Sequence, residues 1–166
     1  MIGELKMKRD NINVILCDRV NESLTDIINI VDVIKANDEN KISFDVAVFI
    51  NGIEWNVKKF ELYFFLEKVD SQKITYLGSL EFRFNEERKK HSNGNFEIGT
   101  HSNCSQSISS MEFKDINVLG EGAYELQVYK YEDNKMVDLS NKSLEDCIAY
   151  AQDDNLVSVY AFEVVH

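Results

Sequence analysis

Proline is absent from this chain, so its reversals have to be built from glycine, asparagine and aspartate. Asn51-Gly52, Asp70-Ser71, Asn93-Gly94 and Asp133-Asn134 supply such turns. Cysteine is scarce as well. Cys17, Cys104 and Cys147 are far apart, odd in number and without CxxC spacing, which argues against both a disulfide framework and a cysteine zinc site. A basic excess is lacking: 18 Lys and Arg stand against 29 Asp and Glu, a net charge of -11 that repels phosphate backbones and speaks against direct nucleic-acid binding. The longest basic run, Arg88-Lys89-Lys90, follows Glu86 and Glu87 and is too short to reverse that balance. Nowhere do 18 uncharged apolar residues run together, so the sequence offers no membrane-spanning helix. The apolar stretch Val14-Ile15-Leu16-Cys17 lies behind Lys6, Lys8 and Arg9, but Asp18 and Arg19 break it at once. No secretion leader is read there, and cytoplasmic residence is expected.

What is present is strand patterning. Gly120 to Tyr131 is a glycine turn running into a segment in which Tyr124, Leu126 and Val128 alternate with Glu125 and Gln127. Because successive side chains of a strand point to opposite faces, that alternation marks a strand buried mainly on one side. Ile42 to Ile50 places Ile42, Phe44, Val46, Val48 and Ile50 on one face, and Phe60, Leu62, Phe64 and Leu66 repeat the pattern. Asn11 to Val20, Ile27 to Ile34, Ile74 to Phe84, Met111 to Leu119 and Leu156 to Val165 read as further strands. Tyr63 and Phe65 fall on the face opposite Phe64, so that strand is either covered on both sides or carries an exposed aromatic patch. One helix is expected over Ser143 to Gln152, capped by Ser143 and Asp146, with Leu144, Cys147, Ile148 and Ala151 on one face. The fold class is therefore all-β, an antiparallel two-sheet β-sandwich of immunoglobulin-like or C2-like type with one short helix near the C-terminus. Residues 1–166 form a single β-sandwich domain interrupted by a polar insertion at 85–110, since about 25 residues without periodicity exceed an ordinary connection.

Three segments together carry a family resemblance. Asn13 to Val20, Ile27 to Ile34 and Gly122-Ala-Tyr-Glu-Leu-Gln-Val128 resemble a family of small bacterial β-sandwich proteins of unknown function, in which an early strand with an Asp precedes a Leu-Ile-Asn-Ile-Phe-Asp-like segment and a glycine-tyrosine strand comes near the end. The resemblance implies a fold and no catalytic residues. The chain departs from the family at 85–110 and in the helix before its last strand.

Reactive side chains do not converge. His91, His101 and Cys104 share the polar segment, and His101-Ser-Asn-Cys104 has a spacing tolerable for two zinc ligands, but a structural zinc takes four and no second close pair accompanies them. Asp133-Asn134 and Asp153-Asp154-Asn155 could offer oxygens to calcium, although such clusters are commonly plain turns. Cys17 and Cys147 fall among apolar residues as inert thiols, and no G-x-S-x-G elbow accompanies the serines between Ser102 and Ser110. The third histidine, His166, is the last residue. Gly120-x-Gly122 lacks the continuation of a phosphate cradle and reads as a turn. Asp18, Asp26 and Asp32 could cluster if the first two strands are neighbours, but a glycosidase cleft wants a larger aromatic frame, and edge carboxylates that deter strand association explain them better.

The reading is a non-enzymatic binding module with no catalytic, cofactor-binding or metal residues and no cofactor. Its expected partner is another protein, with neither nucleic acid nor membrane contacted directly. The alternatives are a small metal-dependent hydrolase using the His91, His101 and Cys104 loop, and an acidic inhibitor that blocks a nucleic-acid-binding partner. Trypsin is expected to cut the native protein first at Arg88 to Lys90, in a segment with little apolar material to hold it down. Fragments beginning elsewhere, with 85–110 protected, would overturn the division into scaffold and insertion.

Overall fold

The computed structural model describes residues 11–20, 27–51, 59–83, 107–132 and 155–166. They form nine strands: β1 (Asn11–Val20), β2 (Ile27–Ile30), β3 (Val33–Lys35), β4 (Lys41–Asn51), β5 (Lys59–Lys68), β6 (Lys73–Arg83), β7 (Ser107–Asn117), β8 (Gly122–Glu132) and β9 (Leu156–Val165). Two sheets result, one ordered β2-β1-β4-β7 and the other β3-β9-β8-β5-β6. The expected helix at Ser143 to Gln152 lies outside the described residues, as does nearly all of the 85–110 segment.

The core sits between the sheets because the alternating apolar rows face one another. The side chains singled out by alternation, Ile42, Phe44, Val46, Val48, Ile50, Phe60, Leu62, Phe64, Leu66, Tyr124, Leu126 and Val128, are all buried in one cluster, which Phe82 joins. Aromatic rings run through it in a chain, with Phe64 to Phe113 at 5.6 Å, Phe113 to Phe44 at 5.4 Å, Phe44 to Phe162 at 6.0 Å and Phe162 to Tyr124 at 6.0 Å between centroids. The five-stranded sheet is also buried on its outward face, where Tyr63, Phe65, Tyr129 and Tyr131 form a second cluster with Ile74, Tyr76 and Leu156 packed against it. The Tyr63 and Phe65 face is thus covered rather than an open aromatic patch.

The apolar segment Ile27 to Ile34 is not one strand. It divides into β2, antiparallel to β1, and β3, parallel to β9, so the chain changes sheets at Val31-Asp32 and one ladder departs from the purely antiparallel expectation. Backbone hydrogen bonds fix the crossing: Val31 N–H donates to Leu16 O, Glu163 N–H to Asp32 O and Ala36 N–H to Val165 O. Tyr160 Oη, in β9, reaches Val31 O at 3.1 Å and Asp32 Oδ1 at 3.2 Å. The seventh strand begins at Ser107, four residues before the expected Met111. There Ser109 and Ser110 pair with Val48 and Ala47, so the backbone ladder of β4 extends a strand whose own side chains lack apolar alternation.

The described turns draw on asparagine, aspartate and glycine, in keeping with the lack of proline. Asn37 Oδ1 accepts from Glu39 N–H and Lys41 N–H, while Asn40 takes φ +57°. Asp70-Ser71 lies in the β5–β6 turn, closed by Gln72 N–H on Lys68 O. At the β7–β8 corner Gly120 has φ +86°, which a side chain would strain. Tyr124 Oη accepts from Leu119 N–H at 2.9 Å and donates to Gly120 O at 2.8 Å. This is a tyrosine corner, in which a strand tyrosine bonds back to the backbone a few residues upstream. Replacing Tyr124 by Phe should lower stability by about 0.5–1.5 kcal/mol through loss of these bonds. Leu126→Ala, which truncates a side chain with no solvent exposure, should cost about 2–5 kcal/mol. Urea denaturation measures both, and an effect of Leu126→Ala below about 0.5 kcal/mol would show that the packing is wrong.

Candidate binding surfaces

Cys17 is buried in β1, as expected, and its thiol donates to Asp45 O at 3.7 Å. Asp32 is exposed at the sheet crossing and accepts from Tyr160. β1 and β2 are neighbours, as the grouping of Asp18, Asp26 and Asp32 requires, but Asp26 and the Asp18 side chain lie outside the described residues. His166 is exposed, and its backbone N–H donates to Glu121 Oε1 at 2.9 Å. Gly120 and Gly122 form the expected turn into β8. His91, His101, Cys104, Cys147, Asp133-Asn134 and Asp153-Asp154 lie outside the described residues. Among the described residues no three His, Cys, Asp or Glu side chains are grouped to hold a metal ion.

Two polar constellations stand out, and alternation alone indicated neither. The first lies on the outward face of the five-stranded sheet. Tyr63 Oη and Ser79 Oγ both donate to the Glu61 carboxylate, Gln127 Nε2 donates to Glu67 and more weakly to Glu125, and Tyr129 Oη donates to Gln127 Oε1. Register explains the grouping: Tyr63 opposes Ser79 on β6 and Tyr129 on β8, while Glu67 opposes Glu125. Two carboxylates directly across a ladder repel one another. The buried Gln127 amide between them offsets this by donating to both. Signals for these contacts were the glutamates at Glu61, Glu67 and Glu125 on the same face as tyrosines, but pairing them requires the strand order.

The second is an open groove of about 200 Å³ lined by Ser43, Phe44, Asp45, Glu112, Phe113, Lys114 and Asp115. It exists because β7 carries one residue more than β4 between the pairs Ile42–Ile116 and Phe44–Phe113. Lys114 and Asp115 therefore face Ser43 together, a β-bulge. Asp115 takes φ +53°, a left-handed conformation that Asp tolerates better than most residues, and its N–H donates to Ser43 Oγ at 3.0 Å. Phe44 and Phe113 stay inward as the floor, and three carboxylates and one ammonium line the mouth. Lys114 Nζ lies 2.9 Å from Glu112 Oε1. Its ammonium is held above the ordinary lysine range first by that hydrogen bond and the Glu112 charge, with Asp45 and Asp115 adding to it. The groove field is thus net negative.

Two phenols are shifted as well. Burial pushes Tyr124 up, opposed by the Leu119 N–H bond, and burial followed by the Asp32 carboxylate pushes Tyr160 up. The unfolded chain ionises tyrosine near pH 10, whereas the folded chain keeps these two protonated to higher pH. Their contribution is complete below the unfolded value and is lost as pH rises through the folded ones. Stability of the native protein should therefore fall more steeply above about pH 10 than that of a Tyr124→Phe, Tyr160→Phe variant. Parallel curves in urea titrations between these proteins would contradict the assignment.

No protein-family model and no curated protein matches the chain, so the resemblance read from Asn13 to Val128 has no family model behind it. Among solved structures, the CARDB domain of a Pyrococcus furiosus protein in complex with di-metal ions is similar over 94% of this chain and 94% of that one, at 12% identity and a TM-score of 0.42. A candidate beta-galactosidase from Bacteroides fragilis is similar over 94% of this chain and 18% of its own length, at 10% identity and a TM-score of 0.31.

Proposed function

We propose that the chain is a non-enzymatic β-sandwich interaction module that docks a protein partner through basic side chains at the β4–β7 groove. The observation that supports this is the bulge at Asp115, which brings that residue beside the outward-facing Asp45–Glu112 pair, so that three carboxylates line one opening above the Phe44 and Phe113 floor. An arginine or lysine entering there meets carboxylates already arranged by backbone geometry, so little side-chain ordering opposes binding. The net charge of -11 favours encounter with a basic partner over long range and disfavours nucleic acid. On the opposite sheet the Glu61 and Glu67 carboxylates accept hydrogen bonds from Tyr63, Ser79 and Gln127, which suits a structural role better than proton transfer.

Capture of partners from the native host tests the reading. The wild-type protein should retain a basic protein whose binding weakens steeply with salt, and the Asp45→Lys, Glu112→Lys variant should lose it. A Glu163→Lys control, altering an exposed carboxylate on β9 of the other sheet, should retain it. Equal capture by both variants would remove the groove from the proposal. Separately, about one equivalent of zinc per chain, lost when His101 and Cys104 are replaced by Ala, together with hydrolysis of generic esters or phosphoesters, would favour the metal-dependent alternative.

A further inference from the structure

We draw no further inference here: the strongest candidate, the Glu67, Gln127 and Glu125 cluster beside Tyr129 on the outward face of the five-stranded sheet, is a set of carboxylates engaged by its own hydrogen bonds, and nothing in the structure shows a ligand it would take.

Discussion

Contact between Phe44 and Phe113, directly opposite one another on β4 and β7, is the constraint on which the sandwich and its groove both depend. Phe113 also meets Phe64 of the other sheet, and Phe44 meets Phe162, so these two rings tie two strands of one sheet to two of the other. Tilted aromatic pairs at such separations add attraction beyond the area they bury. Their larger effect is on register. Moving β7 by one residue would turn Phe113 to solvent and Lys114 into the core, a change that exposes a ring and buries an ammonium at once.

The bulge reconciles that demand with the rest of β7. Ile116 packs against the core opposite Ile42, and Phe113 must also point inward, yet they are three residues apart and strict alternation would put them on opposite faces. One extra residue restores both, and Asp115 absorbs it in a left-handed conformation with its N–H taken by Ser43 Oγ. A packing requirement inside the molecule is thereby converted into a local acidic surface outside it. Similar irregularities occur in β6 between Tyr76 and Gly78 and in β9 between Leu156 and Ser158. There they shift the phase of the strand, so that Ile74 and Tyr76 join the outer cluster while Leu80 and Phe82 face the inner core, and Leu156 faces outward while Tyr160, Phe162 and Val164 face inward.

Alternation carried most of the scaffold in readable form, because period two survives wherever a strand has one core face. Phe44, Val46 and Val48, or Tyr124, Leu126 and Val128, declare their strands without help from any partner. The Ile27 to Ile34 segment shows where that logic ends. Its side chains are apolar on both sides of the break, so nothing local marks Val31-Asp32 as the crossing, which is fixed by backbone bonds to Leu16 and Glu163 far away in sequence. The β4–β7 groove was illegible for a related reason: Ser43 and Asp115 are 72 residues apart, and the register shift that joins them belongs to the pair of strands rather than to either one. The Tyr124 corner had a local signal, a tyrosine four residues after Gly120 and two after Gly122, which the alternation argument recognised only as a turn followed by a strand.

The two sheets differ in what their carboxylates can do, and the difference follows from burial. On the five-stranded sheet Tyr63, Phe65 and Tyr129 are enclosed on the outward face, so polar groups among them need fixed partners or would carry an uncompensated desolvation cost. Gln127 and the Glu61 and Glu67 carboxylates answer that need by bonding to one another's neighbours, and the geometry that satisfies them also commits their lone pairs. On the four-stranded sheet Glu112, Lys114 and Asp115 stand in solvent, where water can satisfy them and an incoming cation can replace that water. Acidic composition alone does not separate these two situations. Burial does: it leaves the groove carboxylates open to solvent, while those of the hydrogen-bonded network are committed to partners within the sheet.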